Sequence, residues 1–188
     1  MNTELDRLSE VLAEMNAIGN RISDITGRPA TIGHTGEYIA SRIFDIELEE
    51  SASAKAIDGR DGRFRSGKLA GRTVNIKWYG KLEYMLDITP DELPDFYLVM
   101  TGPKNQGAAS RGGIRPWVIS HVFLFKAEEL VRELRARGVK IGTATSVVKH
   151  EWEAAEIYPN QRNLGFRPTE DQMAQLLAFG ANWAEDWF

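Results

Sequence analysis

Between Leu8 and Ile25 apolar residues recur every three or four positions, at Val11, Leu12, Met15, Ile18 and Ile22. That spacing predicts a helix over residues 3–25, broken by the Thr26-Gly27-Arg28-Pro29 cluster. A second helix is predicted from Thr35, a residue suited to an N-cap, through Ile39, Ala40, Ile43 and Phe44. Glu37 then falls in its first turn. After Phe44 the period changes. Weak alternation continues to Ile57, and a loop over 59–71 with four glycines leads into the clearest strand, Thr73–Tyr79. Val74, Ile76 and Trp78 alternate there with Asn75 and Lys77. One apolar face is therefore predicted, with two polar side chains together on the other, roughly 7 Å apart along the strand.

Farther along, Thr89-Pro90-Asp91-Glu92 reads as a short helical turn, with Thr as cap and Pro in the first helical position. Phe96–Thr101 and Trp117–Phe125 read as strands, and residues 126–137 as an amphipathic helix ending at Gly138. Val139–Val148 favours strand. A last helix over 169–187 opens on a Thr169/Gln172 capping box and carries Trp183 and Trp187 on one face. A helix, then strands, then helix and strand in alternation predict an α/β architecture: a mixed central sheet flanked by helices. No strand runs through a glycine turn straight into a helix, which argues against a doubly wound nucleotide-binding fold. No linker-like stretch divides the chain, so one domain over 1–188 is expected. Within it we distinguish an N-terminal helix to residue 28, a core over 33–148 and a C-terminal extension with its helix over 149–188.

Composition narrows the chemistry. Cysteine is absent, which excludes disulfides, thiolate nucleophiles and cysteine-bound zinc. His34, His121 and His150 lie far apart and form no helical zinc pair. A hard cation on oxygen ligands is the metal chemistry that remains. There is no long apolar run and no basic-then-apolar leader, so a cytoplasmic protein with no membrane partner is expected. The net charge of −4 is unevenly spread. Seven basic residues lie between Arg60 and Lys81 against one acid, Asp61, while residues 102–115 hold Lys104, Arg111 and Arg115 with no acid. Acids gather at 47–50 and 151–156. A local basic cleft on an acidic body fits this distribution and suits a phosphate backbone.

Two polar groups on one face of an apolar strand, downstream of an acid before a basic loop, suit phosphodiester chemistry. Seventeen positions separate Asp58 from Asn75. Hydrolysis needs an activated water and relief of charge on the phosphate oxygens. Magnesium held by carboxylates does both, and a nearby lysine can orient the water or offset the developing charge.

Gly36-Glu37-Tyr38-Ile39-Ala40, then Ala56-Ile57-Asp58, then Arg72-Thr73-Val74-Asn75-Ile76-Lys77 resembles the PD-(D/E)xK nuclease superfamily, the restriction-endonuclease-like fold. The similarity covers residues 33–80 and is nearest to bacterial branches with a Gly-Glu helix and a Gln-x-Lys motif. The resemblance implies a restriction-endonuclease-like mixed sheet and a magnesium-dependent endonuclease of restriction or defence type, with manganese as a substitute ion. It places Glu37, Asp58, Asn75 and Lys77 at the catalytic positions, with Asp58 and Glu37 on the metal. Duplex DNA is the implied partner, contacted through Arg60, Arg63, Arg65, Lys68, Arg72, Lys104, Arg111 and Arg115, and a homodimer would suit cutting of both strands. Asn75 stands where the superfamily usually has an acid, and a neutral amide is the weaker magnesium ligand. Either Glu37 supplies the missing charge, or the chain binds nucleic acid without cutting it; Asp61 is an alternative to Asp58. A protein-interaction subunit docking through its acidic surface and terminal aromatics is the rival from another class.

Overall fold

The computed structural model describes residues 3–49, 62–104 and 116–180. Helix α1 (Glu4–Thr26) opens on a capping box between Thr3 and Asp6 and stops at Gly27, whose φ of 67° only glycine adopts without strain. Helix α2 (Ile32–Ile43) starts earlier than its sequence suggests. Thr31, not Thr35, is the N-cap, its hydroxyl accepting from the His34 N–H at 3.2 Å. Glu37 therefore sits in the second turn, and the expected placement in the first is corrected.

Strands β1 (Ile46–Leu48), β2 (Gly62–Phe64) and β3 (Thr73–Tyr79) form an antiparallel meander. The chain then makes the two-residue β4 (Met85–Leu86) and returns as β5 (Phe96–Thr101), parallel to β3. Strand β6 (His121–Lys126), helix α3 (Ala127–Ala136), the short β7 (Thr145–Ser146), helix α4 (Lys149–Ala155), strand β8 (Glu156–Tyr158) and helix α5 (Glu170–Ala178) follow. The protein is α/β, with a mixed six-stranded sheet ordered β1-β2-β3-β5-β6-β8 and a separate β4–β7 ribbon. Only β3 and β5 pair in parallel within that sheet.

Each face of the sheet carries its own apolar layer. On one, Val74, Ile76 and Trp78 of β3 join Ile39 and Ile43 of α2 and Leu176 of α5. On the other, Tyr97 and Val99 of β5 and Phe123 of β6 meet Leu130 and Leu134 of α3 and Trp152 of α4. Trp152 is the anchor of this second layer, edge-on to Phe123 at 4.7 Å and to Phe125 at 5.0 Å between ring centres.

Four expected elements differ. Thr89–Glu92 forms a turn but no helix, because Leu93 precedes Pro94 and the residue before a proline is driven out of the α region. Of Val139–Val148 only Thr145–Ser146 becomes strand; Ala144, at a φ of 55°, breaks the extended run. The strand expected from Trp117 begins at His121. The last helix, expected over 169–187, stops at Ala178, where the Phe179 N–H caps it on the Leu176 and Leu177 carbonyls; residues 181–188 lie outside the described residues.

Candidate active-site strand

Strand β3 is held at its start by an acid that sequence reading passed over. Asp95 accepts from the Thr73 backbone N–H at 2.7 Å and from its hydroxyl at 2.8 Å, and pairs with Arg72 at 3.0 Å. The Asp95 backbone N–H donates back to the Thr73 hydroxyl at 2.8 Å. Burial opposes its ionisation, but the Thr73 and Arg72 donors outweigh that and hold its pKa below the ordinary carboxylate range. The clamp fixes the register of β3 against β5, in which Asn75 lies beside Tyr97 and Lys77 beside Val99.

Successive side chains on a strand point to opposite faces. Val74, Ile76 and Trp78 face α2, so Asn75 and Lys77 share the face of Tyr97 and Val99. The expected pairing of these two polar groups on one face is what the strand has, although that face is covered as well. Asn75 is 5% exposed and Lys77 is half-buried. Among the described residues Lys77 takes part in no salt bridge.

Glu37 is elsewhere. Its helix packs on the opposite face of the sheet, and its carboxylate forms a salt bridge with Arg28, both side chains about one-fifth exposed. Arg28 also reaches the Glu49 carbonyl at 3.4 Å. The structure thus does not bring Glu37 and Lys77 together; they lie on opposite faces of the sheet. Gly36, the other half of the Gly-Glu signature, has a packing reason. A Cβ there would stand 2.9 Å from Trp78 Cβ and 3.2 Å from Met100 Cε, so only glycine lets α2 approach β3 and β5 so closely.

No protein-family model matches this chain, and no curated protein matches it.

Asp58, Arg60, Asp61, Arg111 and Arg115 lie outside the described residues. The basic side chains that are described divide into two groups. Arg63, Arg65, Lys68 and Arg72 surround the β2–β3 turn, where Arg63 donates to the Gly71 carbonyl at 3.0 Å. Arg65 pairs with Asp45 at 2.9 Å, and Arg72 with Asp95. The arginines of both pairs are exposed, and surface pairs of this kind contribute little to stability. Lys104 follows the far end of β5, over the Tyr84 ring at 5.5 Å. About 20 Å of parallel strand separates it from Arg72, so the two groups do not form one patch.

At the carboxyl ends of β3 and β5, where open α/β sheets place ligands, a cavity of about 480 Å³ is lined by Trp78, Tyr79, Lys81, Asp87, Thr101 and Trp152, among others. Thr101 Oγ1 and Trp152 Nε1 are buried without hydrogen-bond partners among the described residues, as is Nδ1 of His121, which stands opposite Thr101 across β5 and β6. Burial chiefly lowers the His121 pKa; buried Glu156 opposes this and Lys104 adds to it. Tyr79 shares hydrogen bonds with Asp87, its hydroxyl donating at 3.3 Å and accepting from the Asp87 N–H at 3.1 Å. Burial, first of all, pushes the Tyr79 pKa upward. No local sequence signal marks this end of the sheet, because its members come from segments far apart in the chain.

Proposed function

We propose that the chain is a metal-dependent endonuclease acting on DNA, of restriction or defence type and cytoplasmic, with its site built on β3 around Lys77. What carries this reading is a half-buried ammonium on a central strand that has no acid partner among the described residues. Such a cation is suited to a phosphate oxygen, a charge-assisted contact stronger than a neutral hydrogen bond. Asn75 lies two residues before it on the same face. The strand beside it, β2, begins at Gly62 opposite Val74, and Asp58 precedes Gly62 by four residues in the sequence.

Among the described residues no three acids or histidines gather into a metal site, so the ion in this reading depends on Asp58. A bound magnesium ion supplies an activated water and charge relief. Lys77 holds the scissile phosphate and offsets the charge that grows on its oxygens as one phosphorus–oxygen ester bond breaks. The Asn75 amide orients groups beside it. Glu37 takes no part; its salt bridge with Arg28 ties α2 to the turn after α1. No described helix is long and apolar enough to cross a membrane.

Plasmid cleavage with magnesium tests the reading. Lys77→Ala and Asp58→Ala each lower the cutting rate by about 100-fold or more, while Glu37→Gln leaves it within about threefold and lowers stability by about 1–2 kcal/mol. Undiminished cutting in both Lys77→Ala and Asp58→Ala overturns the assignment. One observation favours a second reading: the neutral amide of Asn75 occupies the position of the superfamily's acid, and Glu37 does not replace it. A module that binds nucleic acid without hydrolysis would show salt-sensitive retardation of DNA and no cleavage with magnesium or manganese.

A further inference from the structure

Helix α1 is the only α-helix among the described residues with no buried residue. Contact with the body is confined to its C-terminal part, where Gly19, Ile22, Ser23 and Thr26 are partly covered. Residues 4–18 stand clear, about 22 Å of helix. Along that length Leu5, Leu8, Val11, Leu12, Met15 and Ile18 are 44–75% exposed, and Ile25 beyond them is 70% exposed. Other exposed large apolar residues, such as Met85 and Leu164, are scattered.

The positions are ordered. Leu5, Leu8, Leu12 and Met15 follow the alternating three-and-four spacing of a coiled-coil seam, and Val11 and Ile18 widen it seven residues apart. Ser9, Asn16 and Ser23 border the other side, small and uncharged, and no charge falls within the stripe. The six side chains from Leu5 to Ile18 expose roughly 600 Å², at the upper end of the apolar patch a typical monomer leaves to water and about three-quarters of the 800 Å² per partner of a stable interface. The stretch 4–18 has no residue covered by the body, and a helical segment of that length without tertiary contacts is marginal in water, so its stability calls for a partner. A membrane surface is the poorer one. Helices that lie on bilayers carry lysine and arginine on the polar face, whereas α1 has Glu4, Asp6, Glu10, Glu14 and Asp24 against Arg7 and Arg21.

We propose that α1 is a dimerisation helix whose Leu5–Ile18 stripe packs against the same stripe of a second copy of this chain. The contact is isologous: a seam free of charge meets itself without like-charge repulsion. This proposal stands apart from the nuclease reading and is read out without DNA.

Light scattering on the full chain, from about 5 to about 200 µM, should give twice the 21.1 kDa chain mass. Leu12→Glu combined with Met15→Glu should give the single-chain mass with unchanged near-ultraviolet dichroism, since neither residue touches the core. The chain has no cysteine, so a single thiol reports the seam directly. Oxidised Met15→Cys should form covalent dimers, and Ala17→Cys, on the opposite side of the helix, should not. A wild type of 21.1 kDa at the highest concentration overturns the proposal, whether the stripe is covered by residues 181–188 of its own chain or by anionic vesicles. A double Glu variant that stays dimeric, or equal cross-linking of the two cysteine variants, overturns it too.

Discussion

Asp95 and His121 are each one side chain whose protonation the fold has shifted, and both shifts point the same way. The folded pKa of Asp95 lies below the ordinary carboxylate value, so its stabilising effect is complete above pH about 4 and is lost as pH falls through the lower folded value. His121 is also depressed, mainly by burial. The unfolded chain therefore takes up a proton near pH 6.5 that the folded one refuses, and stability declines as pH drops below that point. Urea unfolding followed from pH 7.5 to pH 3 should show both slopes. His121→Gln should remove the upper one, and Asp95→Asn should flatten the lower one while lowering stability at pH 7. Of these residues the sequence marked neither role. Asp95 lies 22 positions from Thr73, and no short-range pattern joins them. Lys77 and Asn75 were legible because alternation along one strand is local.

Among elements, those read well were those whose stabilising groups lie within a few residues. Strand β3 has the bounds its alternation predicts, and α3 is followed by Gly138, at a φ of 68°. The capping box of Thr169 and Gln172 opens α5; Thr169→Ala should lower stability by about 1 kcal/mol, measured by denaturant midpoint. Helix α4 and strand β8 were missed. Their signal is a seven-residue helix running straight into three strand residues, with the acid Glu156 buried at 4% exposure. Close approach between elements gives a sharper test. Gly36→Ala places a methyl group against Trp78 and Met100 and should cost about 1–3 kcal/mol through overpacking. If thermal unfolding shows no loss, the close approach of α2 to β3 is not as described. Free α1 belongs to the same scale: dilution below the dissociation constant of the proposed dimer should reduce helical ellipticity.

For the whole molecule, the sheet decides which groups can act together. It separates Glu37 from Lys77 by putting α2 on one face and Asn75 and Lys77 on the other, and it separates Arg72 from Lys104 by the length of the parallel pair. If Asp58 holds magnesium as proposed, millimolar magnesium should raise the melting temperature by mass action, and Asp58→Ala should abolish the increase while Glu37→Gln leaves it. An equal shift in the Asp58 variant would locate the ion elsewhere.

By itself the sequence determined the α/β class, the strand that carries Asn75 and Lys77, the limits of α1 and α3 to within a residue, and the absence of thiol chemistry. Each rests on periodicity, capping or composition, which act over a few neighbouring residues. Only the tertiary structure decided that Glu37 pairs with Arg28 across the sheet from Lys77, that Asp95 clamps β3, and that α1 stands uncovered. Those outcomes depend on which faces the packed elements turn toward one another, and facing is a property of contacts between segments far apart in the chain.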